Sequence, residues 1–416
     1  MSEKQVDQSF HGPAVNFYCD LKIKGHQVIS KRIEHLTIKE WIFDIVPRIE
    51  IILADDGTFT EVYPLQDGDI ISVEIKKNAL DVPTILNFDL IGYTFGAMAG
   101  TKFTKIIISG ALHVENFYSP IYTRSFNNKN SATVLTQLLK TEGKANLYFA
   151  TPTTDVMTWL QINISNIDFC KHILKRSYIA NDTMFLYADT SSNAASTGIG
   201  NVTSGFNYTS FKTEVDKNIE GTARCDLRNY SADAFEDAAD YKDFWFNTYN
   251  VFDFHAYINK VRNYGVSYNY YDTSSGKVTP VLSDTTHPLS DLSAKDKNKA
   301  GQIAHNFDLG YLPVGNVYSN YYKALVQNDY LKSNFFGGFI LELNINSLGK
   351  PRLFSRVNVI IPSMLGPGSN ESLSGNYIVA GVVHDLGQGM QYKKRMALMR
   401  NGFDWSEFVK IPTVAQ

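Results

Sequence analysis

A chain of 416 residues is too long for one hydrophobic core, and its length implies about two to four domains. With 44% hydrophobic and 19% charged residues it is not a disordered chain, and a net charge of −3 gives no reason to expect a nucleic acid or an anionic membrane as partner. No apolar run approaches the ~18–20 residues that span a bilayer, and the polar start of the chain lacks the apolar core of a secretory signal.

Aromatic residues make up 13%, mostly Tyr and Phe, which suits β-rich packing and large protein contacts. The three cysteines, Cys19, Cys170 and Cys225, stand far apart with no CxxC or Cys/His zinc spacing. They read as buried, reduced thiols in a cytoplasmic product.

Residues 1–13 read as a flexible N-terminus, and 14–127 as a β-domain. Candidate strands lie at 16–24, 28–34, 49–54, 70–76, 85–93 and 103–114. Gly25, Asp55-Asp56-Gly57, Gln66-Asp67-Gly68-Asp69 and the glycines of 96–100 separate them, and Asp-Gly between apolar runs signals a hairpin. The stretch 37–46 fits a strand or a short helix.

An α/β block follows over 128–189. Val134, Leu135, Leu138 and Leu139 recur at helical spacing, with Ser131 as the expected cap and Gly143 as the stop. Trp159 to Asn163 reads as a strand; Ser165 then stands at a helix N-cap with Asp168 three residues on, and Phe169, Ile173 and Leu174 form the apolar stripe. Residues 184–188 read as a strand.

The region 190–315 reads as an insertion that partly completes the β-domains. It holds a polar loop to 205, an acidic helix over 231–242, and a helix over 251–264 on Val251, Phe254, Ile258 and Val261. A hairpin over 268–282 and a polar linker over 283–302 follow. The last domain, 316–416, opens with a helix over 317–331 packed on four strands at 339–345, 357–361, 377–384 and 392–400.

Candidate chemistry is sparse. His384, with Asp385 beside it, ends a strand and reads as a hydrogen-bonded structural histidine, because no second His or Cys stands at ligand spacing. Ser125, Ser204 and Ser374 lie in no Gly-x-Ser-x-Gly elbow. Glu236, Asp237 and Asp240 read as a solvated helix face, and the proline of Gly366-Pro367-Gly368 removes an N–H that a phosphate cradle would use. Lys393, Lys394 and Arg395 are too few for a nucleic-acid site. No catalytic, cofactor or metal site is expected.

Three stretches carry a resemblance. The first is the opening β-domain with Pro64-Leu65-Gln66-Asp67-Gly68-Asp69 and Arg124-Ser125-Phe126. The second is Trp159, Gln161, Asn163, Ser165, Asp168 and Phe169, similar to a Trp-x-Gln-x-Asn, Ser-x-x-Asp-Phe pattern. The third is Tyr377 with Val379, His384, Tyr392, Leu398 and Arg400, like a closing pair of strands. Together they resemble the central baseplate hub proteins of contractile phage tails, a family that includes late-control proteins and the base of type VI secretion spikes.

The resemblance implies an α+β, mainly β fold: two tail-tube-like β-barrel domains with an inserted α/β domain. It implies a non-enzymatic homotrimer in the virion baseplate, assembled in the host bacterial cytoplasm. The ring would match a six-fold tail tube to a three-fold spike. Its partners would be the tail tube protein, the central spike protein and baseplate wedge proteins, with DNA passing through unbound and no membrane contact. A tail-associated cell-wall hydrolase and a receptor-binding or adhesion protein are the competing readings, as is the equivalent hub of another contractile injection machine.

Overall fold

In this computed structural model residues 18–76, 84–97, 100, 102–149, 153–179, 182–188, 205–215, 221–225, 243–246, 248–253, 266–272, 277–282, 303–305, 321, 324, 325, 328, 339–345, 351–363, 368–370, 373–387 and 392–400 are described. Expectations for 1–13, 190–204, 231–242 and 283–302 lie outside them.

The first seven strands are β1 (Tyr18–Ile23), β2 (His26–Val28), β3 (Ile33–Trp41), β4 (Arg48–Asp55), β5 (Ile70–Lys76), β6 (Thr84–Ala97) and β7 (Thr104–Leu112). They lie in the order β3-β4-β7-β6-β5-β1-β2, each pair antiparallel. Period-two sequence builds them: Ile49, Ile51 and Leu53 of β4, and Ile71, Val73 and Ile75 of β5, all point into the core. The strand expected over 28–34 is broken, because Ser30–Arg32 form a 3-10 turn before β3.

Asp55-Asp56-Gly57 makes no hairpin. The Asp55 carboxylate accepts from the backbone N–H groups of Gly57, Phe59 and Thr60 and from the Thr60 hydroxyl. This caps the helical turn Thr58–Val62, which Gly57 enters at φ 98. β4 therefore pairs with β3 and β7, not with the strand that follows it.

The middle block holds β8 (Tyr122–Lys129), α1 (Ser131–Leu135), β9 (Asn146–Phe149), β10 (Met157–Ile164), α2 (Asn166–Arg176), β11 (Met184–Ala188), β12 (Gly205–Ser210) and α3 (Phe211–Val215). β10 pairs with β8, while β12 pairs antiparallel with β11 and parallel with β9. The cap of α1 is Asn130, whose side chain accepts from the Thr133 N–H. Ser131, the expected cap, is instead buried one residue inside the helix, its hydroxyl donating to Asp155 at 2.6 Å. Helix α1 runs on into a π-helical turn, Thr136–Glu142, which Gly143 ends. Side chains from this block, Val134, Leu138, Trp159 and Phe169 among them, share one core with the first seven strands.

The remaining strands are β13 (Gly221–Cys225), β14 (Asp243–Phe246), β15 (Tyr249–Asp253), β16 (Val266–Asp272), β17 (Lys277–Leu282), β18 (Ile303–His305), β19 (Phe339–Ile345), β20 (Arg356–Ile360), β21 (Gly375–Gly387) and β22 (Tyr392–Arg400). β16 and β17 form the expected hairpin, joined by β18 in a separate small sheet. The other seven run β15-β19-β22-β21-β20-β13-β14. Numbered one to seven in chain order, both runs read 3-4-7-6-5-1-2. They differ at strand one: β13 is parallel to both neighbours where β1 is antiparallel to both. A second core fills this run. Among the described residues no sheet closes on itself by strand pairing.

Of two expected helices, the described part of one is strand and the other is helical where described. Over 251–264 the described part is strand: Val251 lies opposite Leu341 in the β15–β19 ladder. Val251 and Phe252 suit an extended chain, and the waiting β19 edge outweighs their helical spacing. Over 317–331 the described residues Tyr321, Ala324, Leu325 and Asn328 are helical, and Tyr321 and Asn328 bond to the middle block. Arg176 Nε donates to the Tyr321 hydroxyl at 2.8 Å. The Asn328 amide donates to the carbonyls of Lys175 and Ser177, groups left over at the end of α2.

Candidate interaction surface

The two runs meet edge to edge. β21 is paired along one side by β22. On its other side β20 covers 375–378, and β3, from the first run, covers 381–387. Gly381 faces Trp41 across this joint, and a Cβ on it would lie 2.1 Å from the Trp41 ring. The joint needs glycine there because the indole occupies the space.

Buried polar groups fasten the same joint. His384 Nδ1 and the Tyr392 hydroxyl lie 2.6 Å apart, and His384 Nε2 lies 3.0 Å from Glu40 Oε1. All three residues are buried. Burial, and the Glu40 carboxylate after it, push the Tyr392 phenol well above its ordinary pKa. On the neighbouring face Asp385 accepts from Thr37, pairs with His35 and stands 3.6 Å from Arg395. His384 thus has a partner at each ring nitrogen, and it ties β21 to β3 and β22.

The other closing residues secure the last sheet. Leu398 is core. The Arg400 guanidinium stacks over the rings of Phe339 and Tyr377, 4.7 and 4.9 Å from their centroids, and donates to the Ser374 carbonyl. Tyr377 donates to the Leu373 carbonyl at 2.6 Å. Strand alternation splits the run of basic residues: Lys394 points inward and donates to the Pro351 carbonyl, while Arg395 reaches Asp385.

The middle motif is a second joint. Trp159 donates from Nε1 to the Lys129 carbonyl, fixing β10 on β8. Arg124 donates from Nε to Gln161 and forks across both carboxylate oxygens of Glu142 at 2.8 Å. The Gln161 amide donates to Asn166 Oδ1 and to the Ile164 carbonyl. Asn163 takes a left-handed φ of 51 at the register shift near the end of β10, and its N–H donates to the Thr123 hydroxyl. Ser165 caps α2 on the Asp168 N–H, and the Lys171 ammonium and the Ser165 hydroxyl hold the Asp168 carboxyl below its usual range. Phe169 stacks on Phe126 at 5.6 Å.

These residues build joints between strands and helices. Among the described residues no group of three His, Cys, Asp or Glu side chains could hold a metal ion. Ser125 lies in β8, Ser374 bonds with the Ile361 backbone, and Ser204, Glu236, Asp237, Asp240 and 366–367 lie outside the described residues. Cys19, Cys170 and Cys225 are buried and in no disulfide, and burial pushes the Cys19 thiol up to about 12. No helix among the described residues is long and apolar enough to cross a membrane.

Some of the exposed apolar side chains lie on strands. Ile91, Tyr93 and Phe95 of β6 and Phe103 and Ile107 beside them are exposed at the outer end of the β6–β7 hairpin, as are Val251 and Phe252 of β15. Sequence reasoning missed Glu40, Trp41 and Gly381, whose partners lie hundreds of residues away.

A mainly β chain with two edge-joined runs and an α/β block between them defines the fold class. Solved structures share it. A tail protein from Neisseria meningitidis superposes with a TM-score of 0.51 at 10% identity over 93% of this chain and 97% of its own. The 43 kDa tail protein of prophage MuSo2 from Shewanella oneidensis gives a TM-score of 0.55 at 10% identity, covering 93% and 99%. An E. coli type VI secretion component described as similar to bacteriophage T4 tail proteins gives a TM-score of 0.49 at 9% identity over 91% of this chain and 76% of its own. No family model and no curated protein sequence matches the chain.

Proposed function

We propose that the chain is a structural hub of a phage tail baseplate, a homotrimer whose two β runs act as two tail-tube-like barrel domains. The observation that carries this is the repeated strand order 3-4-7-6-5-1-2 with the runs joined edge to edge. A chain that holds two copies of one module lets three chains present six modules. That is the arithmetic needed to meet a six-fold tube on one face and a three-fold spike on the other.

In this reading 14–127 and 316–416 carry the tube-like domains, 128–189 the inserted α/β domain, and 190–315 the connecting region, which partly completes the β-domains through β13, β14 and β15. Wedge proteins bind the outer surface, and DNA passes through the ring without specific contacts. The fold shared with two tail proteins, one of them from a prophage, supports a place in the virion tail. The residues named from the sequence, Trp159, Gln161, Asn163, Ser165, Asp168, Phe169, Tyr377, His384, Tyr392, Leu398 and Arg400, hold the frame and take part in no reaction.

Light scattering on the purified full chain tests this. Three times the chain mass is expected, and a monomer at high concentration overturns it. A zymogram on bacterial envelope that clears would favour the hydrolase instead.

A further inference from the structure

A hollow partly open to solvent lies between β10 and α2, and it encloses about 340 Å³. Its apolar wall is Met157, Trp159 and Leu160 of β10 with Phe169 of α2. That wall is fixed from behind: Trp159 donates to the Lys129 carbonyl, and Phe169 stacks on Phe126. The outward row of β10 carries the apolar surface on. Thr158, Leu160 and Ile162 alternate onto one face of the strand. Ile162 at one end and Val156 at the other are 52% and 51% exposed.

The opposite wall is cationic. His172 and Arg176, one turn apart on α2, line the hollow. Arg176 is buried, and its guanidinium is aimed by two bonds, from Nε to the Tyr321 hydroxyl and from Nη1 to the His172 carbonyl. Lys171 and Lys175 stand further round the same flank of the helix, both exposed. Asp168, on that flank, is already paired with Lys171 at 2.8 Å. Among the described residues that line the hollow there is no carboxylate. A chain of net charge −3 thus gathers positive charge beside apolar surface at this place.

Apolar surface bordered by cations is complemented by an acidic segment that carries an apolar side chain. The side chain displaces water from the hollow, and the carboxylates meet the ammonium and guanidinium groups at its border. A nucleic acid fits less well. Its affinity grows with the number of phosphates neutralised, and Lys171, Lys175 and Arg176 neutralise few. We propose that this hollow is the docking site for an acidic segment of another protein, which lays one apolar side chain against Trp159 and Leu160 and its carboxylates along Arg176, Lys175 and Lys171. The site lies within one chain and is independent of the trimer proposed above.

Selection from a random peptide display library on the immobilised full chain tests it. Two variants read the site: Thr158→Trp, which fills the hollow, and Lys175→Glu, which reverses an exposed charge at its border. Peptides that bind the unmodified chain and are lost on either variant are expected to be acidic around one aromatic or aliphatic residue. Made as a fluorescent peptide, the enriched sequence is expected to lose about tenfold in affinity on Lys175→Glu and to bind more weakly as salt is added. Lys22→Glu, an exposed charge reversal on β1, is expected to leave its binding unchanged. All three variants are expected to keep the circular dichroism spectrum, so that a loss reads the site and not the fold. A library that yields no peptide sensitive to Thr158→Trp or Lys175→Glu overturns the proposal. So do site-dependent peptides that are basic or uncharged. A single-stranded oligonucleotide that competes for the hollow and is lost on the same two substitutions overturns it in favour of a nucleic acid.

Discussion

Gly381 and Gly92 each follow the register shift on strand six of their runs but have opposite surroundings, and that contrast gives the sharpest single-residue expectation. A methyl at 381 collides with the Trp41 ring, whereas one at 92 enters open space. Gly381→Ala is expected to cost about 1–3 kcal/mol by overpacking, and Gly92→Ala less than about 0.5 kcal/mol in the isolated chain. Urea unfolding of both variants measures this. The tyrosines add a pH expectation. Burial raises the phenols of Tyr118, Tyr208, Tyr377 and Tyr392 above their ordinary value. A raised phenol keeps its proton in the fold while the unfolded chain loses it near pH ~10. Stability from these groups is full below that pH and falls as pH rises toward the folded values. Alkaline titration is expected to show these phenols ionising only together with loss of near-ultraviolet dichroism. Early ionisation with the fold intact would contradict their burial.

At the scale of elements, much was legible where period two is strict. β4, β5, β11 and β19 fall where alternation or a compact apolar run places them, and Ser165 caps α2 as its spacing to Asp168 suggests. β15 was not legible because Val251, Phe254, Ile258 and Val261 also satisfy helical spacing, and only the distant β19 edge decides. β13 and β14 are four or five residues long, with little room for a pattern. Of the candidate residues, the Trp159 to Phe169 stretch could be read as a unit because its members are near in sequence. The joint of Glu40 with His384 spans 344 residues, and no local signal marks it. The middle joint supplies an element-scale test. Arg124 ties β8, β10, α2 and the π-helical turn, so Arg124→Met leaves several acceptors without their donor. It is expected to cost about 1–3 kcal/mol. Ser165→Ala, which removes one cap, is expected to cost about 1 kcal/mol. Denaturant midpoints should keep that order; equal losses would show that the arginine network is no more than a surface contact.

The whole molecule carries one module twice and joins the copies by strand pairing. Strand order, bulge position and the place where strand five stops are shared between the runs. The middle block and the small β16–β18 sheet are inserted between β7 and β13 and between β15 and β19, where they leave the ladder from β15 to β6 uninterrupted. End-on electron-microscopy class averages of the purified protein test the account most directly. A hollow ring of six similar densities, alternating under three-fold symmetry, is the predicted image; single unringed particles, or rings with another number of lobes, would contradict it.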